Sequence, residues 1–274
     1  MLQGNGYRAL ASIAVAFGSV VGLSSLHDSA LAQVTPDNSL GNERSVFSPS
    51  VFTEKGLVDR IDGGAVRGGN LFHSFSDFNV NSGQRVYFAN PNSIGNIIGR
   101  VTGGRLSNID GTLGVLGAAN LFLINPSGIV FGANARLDIR GSFFASTADL
   151  VPFPDGYSFS ATNPEAPPLL AINAPLGIAS WLPTSGAIAS NANLSAGQDL
   201  NLSGNDLNLR GQLQAGRDLN LIASRTLTIR DSVTTPFISS SGRNTLIQGN
   251  QGIDIFALNH PSSVLSSGGN MALR

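Results

Sequence analysis

The sequence predicts an all-β fold, a parallel β-helix in which short strands stack into a solenoid, and three observations carry that expectation. The chain repeats itself: Asn193-Leu194-Ser195-Ala196-Gly197-Gln198-Asp199-Leu200-Asn201-Leu202 is echoed 19 residues later by Gln212-Leu213-Gln214-Ala215-Gly216-Arg217-Asp218-Leu219-Asn220-Leu221. Weaker copies follow at Ser241-Gly242-Arg243-Asn244 and Ser267-Gly268-Gly269-Asn270, each 26 residues further on. Between the turns sit apolar-polar-apolar triplets, Leu200/Leu202, Leu207/Leu209, Leu219/Leu221, Leu227/Ile229 and Ile253/Ile255. This period of two marks short strands with one buried face. Composition agrees, because 33 glycines in 274 residues, about 12 % against a usual ~7 %, suit many tight turns and disfavour long helices.

A repeat of this length cannot bury its leucines alone. Stacking the copies buries them in one column, with Leu200 under Leu219 and Leu202 under Leu221 at the ~4.8 Å spacing of paired strands. Variation of the period between 19 and 26 is what insertions at one corner produce. A leucine-rich horseshoe has a similar period, but it needs an L-x-x-L-x-L-x-x-N frame and helical segments, and neither is visible.

The N-terminus reads as a secretory signal. Arg8 supplies the positive start, Ala9 to Leu23 carry no charge, and Ala30-Leu31-Ala32 is a small-x-small exit before Gln33. Cleavage is therefore expected after Ala32, leaving Gln33 as the new terminus and residues 1–32 as the signal peptide. A membrane anchor wants roughly 20 apolar residues, whereas this run is broken by Ser12, Gly18, Ser19 and Gly22. There is no cysteine, so disulfides cannot stabilise an exported chain of this size and the architecture must be repetitive or the core large. A net charge of −1 with 12 % charged residues leaves no basic field for nucleic acid or anionic lipid.

The middle holds Pro152, Pro154, Pro164, Pro167, Pro168, Pro175 and Pro183. Proline removes ladder donors, so residues 152–186 should be an excursion from the helix rather than a central strand. Leu169-Leu170-Ala171-Ile172 and Leu176-Gly177-Ile178 could return within it to the sheet. A boundary is expected here, between an N-terminal module, 34–186, and regular repeats, 187–274, with one column of strands running through both. No polar capping unit closes the last repeat, although solenoids generally need one. The expectation is a truncated chain or a remnant of a longer one, with open strand edges that can template pairing.

From Gly63 to Leu150 the chain alternates strand and turn, as in Asn70-Leu71-Phe72-His73-Ser74-Phe75, Gln84-Arg85-Val86-Tyr87-Phe88 and Asn120-Leu121-Phe122-Leu123-Ile124. Two turns share a pattern, Asn90-Pro91-Asn92-Ser93-Ile94 and Asn125-Pro126-Ser127-Gly128-Ile129. Asn bonds its side chain to backbone, Pro fixes φ, and Asn or Gly tolerates unusual dihedrals.

On these blocks the chain resembles the N-terminal secretion domain of the filamentous-haemagglutinin family, the exported partner of two-partner secretion systems. The resemblance rests on Gly69 to Phe75, Val86 to Pro91, Ile97-Ile98-Gly99-Arg100-Val101-Thr102-Gly103-Gly104, Ile109-Asp110-Gly111, Asn120 to Gly132 and Gly141-Ser142-Phe143. It is strong over residues 34–150. It implies a right-handed parallel β-helix, recognised while unfolded by the periplasmic domains of an outer-membrane transporter, threaded through that transporter and folded outside the cell. It implies further that residues 187–274 begin a filament stalk, that the protein is an adhesin of the cell surface or medium of a Gram-negative-type bacterium, and that its ligand is a host cell, matrix or carbohydrate. The turn residues Asn90, Pro91, Asn92, Asn125, Pro126, Ser127 and Gly128 become the candidates for transporter recognition. Ser127 departs from the family's usual Asn-Pro-Asn-Gly, a change that bears on recognition rather than on fold.

The rival reading is a β-helical polysaccharide-degrading enzyme of the periplasm or cell surface. Such chemistry needs two carboxylates ~5–9.5 Å apart, and Asp199 with Asp218 is the best pair available. Both sit at the Gly turn, where Asp commonly caps its own backbone, and their later counterparts are Asn244 and Asn270. Histidines are His27, His73 and His260 alone. His27 leaves with the signal, His73 lies within an apolar block and His260 precedes Pro261, so no zinc site is expected. Asp59, Asp62, Asp77 and Asp110 lack calcium-loop spacing, and no phosphate loop, dinucleotide fingerprint or nucleophile elbow appears. The expectation is no catalytic residue, no cofactor and no metal. Residues 187–274 hold only Phe237 and Phe256 as aromatics, too few for a membrane barrel, so another protein must supply the pore.

Overall fold

The computed structural model describes residue 1 and residues 34–168, 175 and 186–274. The expected signal peptide with its cleavage residues Ala30, Ala32 and Gln33, and the stretches 169–172 and 176–178, fall outside the described residues.

Strand and corner alternate in a three-faced parallel β-helix. The first face stacks Asn70–Asp77, Asn96–Val101, Asn120–Ile124, Phe143–Ser146, Leu200–Gly204, Leu219–Ala223, Thr245–Gly249 and Met271–Leu273 in that order, each parallel to the next. The second stacks Ser107–Ile109, Ile129–Phe131, Ile188–Ser190, Leu207–Leu209, Thr226–Arg230 and Gly252–Phe256. The third is made of two sheets. One carries Arg85–Ala89, Thr112–Leu116 and Arg136–Asp138, the other Asn193–Ala196, Gln212–Ala215, Ile238–Ser241 and Val264–Ser267.

Strand alternation sorts the side chains. Facing inward on the first face, Leu71, Ile97, Leu121, Phe143, Leu200 and Leu219 are register partners in succession. Leu202 likewise pairs Leu221, as the repeat spacing predicts. These residues belong to one apolar cluster that runs the length of the stack. A one-residue slip would turn the whole column outward, so burial fixes the register.

The corner between the third and first faces explains the repeated glycines. A Cβ on Gly216 would lie 2.1 Å from the carbonyl oxygen of Gly197 below it. On Gly242 it would lie 2.3 Å from that of Gly216, and on Gly268 2.3 Å from that of Gly242. The backbone of each rung occupies the space a side chain would need.

Two features close the structure in ways the period does not announce. At the N-terminal end, Ser45–Thr53 and Gly56–Gly63 form an antiparallel pair on the edge of the third face, and Phe47 packs against the interior cluster. The described part of the proline-rich excursion, up to residue 168, does leave the helix after Ser146. Its first part then folds back as an antiparallel hairpin, Leu150–Pro152 with Ser158–Ser160. Val151, Phe153 and Phe159 become buried against the outward side chains Phe72, Ile98 and Phe122 in a second apolar cluster. Those three outward residues are apolar, so the first face needs a cover on its solvent side.

Replacement of Gly216 by Ala should force backbone apart at every neighbouring rung. The expected outcome is a thermal midpoint lowered by about 5 °C or more, measured beside Gly69→Ala. At that exposed position the nearest atom to an added Cβ is 3.7 Å away, and little change is expected.

Candidate recognition site

The two Asn-Pro turns have related sequences and different places in the fold. The first joins Arg85–Ala89 on the third face to Asn96–Val101 on the first. Asn90 donates from its amide nitrogen to the carbonyls of Pro91 and Ile94, at 3.2 and 3.0 Å. Its oxygen accepts from the backbone amides of Ala118 and Ala119, both at 3.0 Å. One side chain thus ties its own turn and then the corner of the following rung. Ser93 takes φ 72°, a left-handed conformation uncommon for a residue with a Cβ. Pro91, Asn92 and Ser93 form an exposed tip, anchored by buried Ile94.

The second turn joins Asn120–Ile124 on the first face to Ile129–Phe131 on the second. Here the Asn is fully buried. Asn125 donates to the Arg105 carbonyl at 2.8 Å and to Ser107 Oγ at 3.0 Å, and accepts from the Ser127 amide at 3.0 Å. Gly128 has φ 120°, and an added Cβ would stand 3.0 Å from the Ala187 carbonyl. Ser127 alone is exposed; Pro126 is half-buried. The seven candidate residues therefore lie at two different corners, with one open tip and one largely enclosed turn. Both Asn side chains do bond backbone, as the local chemistry predicts.

The acidic pair is incorporated into the scaffold. Asp199 accepts from Arg217 Nη2 at 2.6 Å, from Arg217 Nε at 3.0 Å, from the Asp218 amide and from Ser142 Oγ, both at 3.1 Å. Asp218 accepts from Arg243, from the Asn244 amide at 3.0 Å and from Asn244 Nδ2 at 3.2 Å. The capping expectation needs a correction: each Asp caps the backbone of the next rung, whose amide stacks directly over it. Burial pushes the Asp199 carboxyl up, but Arg217 and the Asp218 amide outweigh it and hold it below the ordinary range. Arg243 does the same for Asp218. Along the first face, Asn120 donates to Asn96 and Asn96 to Asn70, each at 2.9 Å.

His73 points into the helix beneath the N-terminal pair. Its Nδ1 lies 3.0 Å from Ser45 Oγ and its ring sits between Phe75 and Phe88. Nε2 has no partner among the described residues. Burial drives its pKa down to about 3. His260 lies in a loop, where its Nδ1 accepts from the Ser262 amide at 3.1 Å. Among the described residues no group of three acids or histidines is placed to hold a metal.

Two buried arginines carry more of this region than any predicted site residue. Arg100 is fully buried and donates to Ser74 Oγ, Ser39 Oγ, and the carbonyls of Ser160 and Glu165, at 2.8–2.9 Å. Its guanidinium also lies 4.0 Å from the Phe159 ring centre. Burial lowers its pKa to about 10, so it remains charged at neutral pH. Arg67 grips Glu43 with two bonds, 2.9 and 2.6 Å, and also donates to the carbonyls of Pro167 and Pro168. A readable signal existed for the first: Arg100 is a charge inside Ile97-Ile98-Gly99-Arg100-Val101, and alternation puts it opposite the inward Ile97 and Gly99.

A family model described as TPS secretion domain matches residues 32–274. That span takes in the antiparallel N-terminal end, both turns, the hairpin and every later rung. Among curated proteins the comparison finds no match.

Loss of the buried amide in Asn125→Ala strands a carbonyl and an amide, and should cost roughly 2–3 kcal/mol in urea unfolding. Asn92→Ala at the exposed tip should stay within about 0.5 kcal/mol. His73 gives a pH signature. Its folded pKa, about 3, lies below the unfolded ~6.5, so the unfolded chain binds the extra proton. Stability is complete well above pH 6.5 and declines as pH falls toward 3, by about 1.6 kcal/mol between pH 6.5 and 5. Urea midpoints at these pH values should show that slope, and His73→Phe should flatten it.

Proposed function

The chain belongs to the TPS secretion domain family, and on that premise we propose that it is the transporter-recognised part of a filamentous-haemagglutinin-like adhesin. Membership makes it part of a two-partner secretion exoprotein, exported by way of a partner outer-membrane transporter. The observation that carries the finer reading is the unbroken stack of rungs behind the recognition turns. It supplies a rod with a continuous apolar interior, the build required of a stalk that holds something away from a surface. In this reading residues 34–186 are the secretion module and residues 187–274 begin the stalk. The adhesive ligand is a host cell, matrix or carbohydrate surface.

The turn at Asn90, Pro91 and Asn92 and the turn at Asn125, Pro126, Ser127 and Gly128 are the proposed recognition elements. Periplasmic domains meet them in the unfolded chain, where burial of Asn125 in the finished fold does not hide it. An absence of cysteine suits that route, since no disulfide can lock the chain before it threads a pore. The polysaccharide-degrading alternative loses its best carboxylates, Asp199 and Asp218, to the ladder of bonds at the corner.

The test is secretion of the tagged chain with and without its partner transporter. Appearance outside the cell only when the transporter is present is the expected outcome, and retention in the periplasm in both cases would overturn the reading. Asn90→Ala and Asn92→Ala should each reduce the secreted yield about tenfold, equivalent to roughly 1.4 kcal/mol of recognition. Unchanged yield in both would remove the first turn from the recognition site.

A further inference from the structure

We propose that residues 148–168 form a latch that opens and closes as a unit over the outer side of the first face while the β-helix beneath stays folded, with Arg100 as its pin. The first observation is how the segment is attached. Its two strands, Leu150–Pro152 and Ser158–Ser160, pair only with each other. The other backbone hydrogen bonds within it, Phe153 to Tyr157, Gly156 to Phe153 and Ala161 to Asp149, are also internal. Among the described residues, no bond between backbone groups joins residues 148–168 to a rung; Thr147 to Ser203, at 3.0 Å, is the last. The strands of the first face, by contrast, are sewn each to the next by a continuous ladder. The segment can leave without breaking that ladder.

What holds it down is side-chain contact. Phe159 and Phe153 pack on Phe72, with ring centres 4.8 and 5.7 Å apart. Arg100 and Arg67, both on the first sheet, donate to four carbonyls of the segment, those of Ser160, Glu165, Pro167 and Pro168. An isolated two-stranded hairpin is marginal in water, so its order depends on these contacts.

The energetics favour opening at this place. Closing the latch strips water from the Arg100 guanidinium, a cost of several kcal/mol for an isolated charge. Among the described residues no carboxylate bonds it directly. Its acceptors are two hydroxyls and two carbonyls, backed by the Phe159 ring, while Asp37 is held nearby by bonds from Ser39, Ser74 and Thr102. Opening rehydrates the charge and returns part of that cost. It also gives up the bonds to the Ser160 and Glu165 carbonyls and the Phe159 ring, so Arg100 on balance holds the segment closed. Opening wets one apolar cluster and leaves the interior cluster dry. Local opening below the global unfolding energy is the result.

The chain has no cysteine, so one introduced thiol reports one position. Ile98→Cys lies under the latch; Leu202→Cys lies inside the helix, and both parent side chains are fully buried. In native buffer, a maleimide should label the first at least about tenfold faster than the second. Adding Arg100→Leu should accelerate the first by about tenfold again and leave the second unchanged. Equal labelling of the two positions, or equal acceleration of both, would overturn the proposal, since both positions would then be reached only by unfolding the whole stack. If Arg100→Leu does not fold, hydrogen exchange on the unaltered chain decides. Amides of Phe153, Gly156 and Ala161 should exchange ahead of those of Leu121 and Phe143; exchange at one common rate would refute the latch.

Discussion

Rung spacing governs this protein. Parallel strands joined by backbone hydrogen bonds sit ~4.8 Å apart, so any residue in one rung has its counterpart directly above and below within bonding or packing distance. The same distance makes leucine a column, as in Leu200 and Leu219. It lets Asn70, Asn96 and Asn120 form a chain of amides, and it makes a corner Cβ intolerable at Gly216. Asp199 reaches the amide of Asp218 and the guanidinium of Arg217 for that reason too. Polar and apolar columns are therefore two outcomes of one geometric rule, and the residue type decides which appears.

That rule explains what was legible in the sequence. The apolar triplets and the corner glycines recur because stacking demands it, so fold class and register followed from the period alone. The antiparallel pair Ser45–Thr53 and Gly56–Gly63 lies outside the repeat, and no periodicity points to it. The hairpin over Phe72 was half legible: prolines announced a departure from the helix, but nothing local says that Val151 and Phe159 return to cover a sheet some 80 residues earlier. The clue lay in the sheet itself, whose outward positions Phe72, Ile98 and Phe122 are apolar where a solvated face would be polar.

The two Asn-Pro turns mark a different limit. Asn90 and Asn125 open the same local pattern, and in both the side chain satisfies backbone, as turn chemistry dictates. Burial separates them. Asn125 is sealed because its turn passes between two faces beside Ser107 and Arg105, whereas the tip after Asn90 projects into solvent. Sequence specified the conformation of each turn and was silent on its surroundings, which depend on which corner the rung count assigns to it.

The glycine corner also makes the length of this molecule a quantity that changes in whole steps. From Gly197 to Gly216 and from Gly216 to Gly242 the chain returns to the same corner with the same clearance, although the loops between differ in length. A segment cut from glycine to glycine carries one complete turn of every column and leaves flush surfaces on both sides. Duplication or excision at these points adds or subtracts reach while every column stays in register, whereas a cut elsewhere shifts every column above it. Rods of this kind can evolve in span by counting, while the N-terminal end stays fixed.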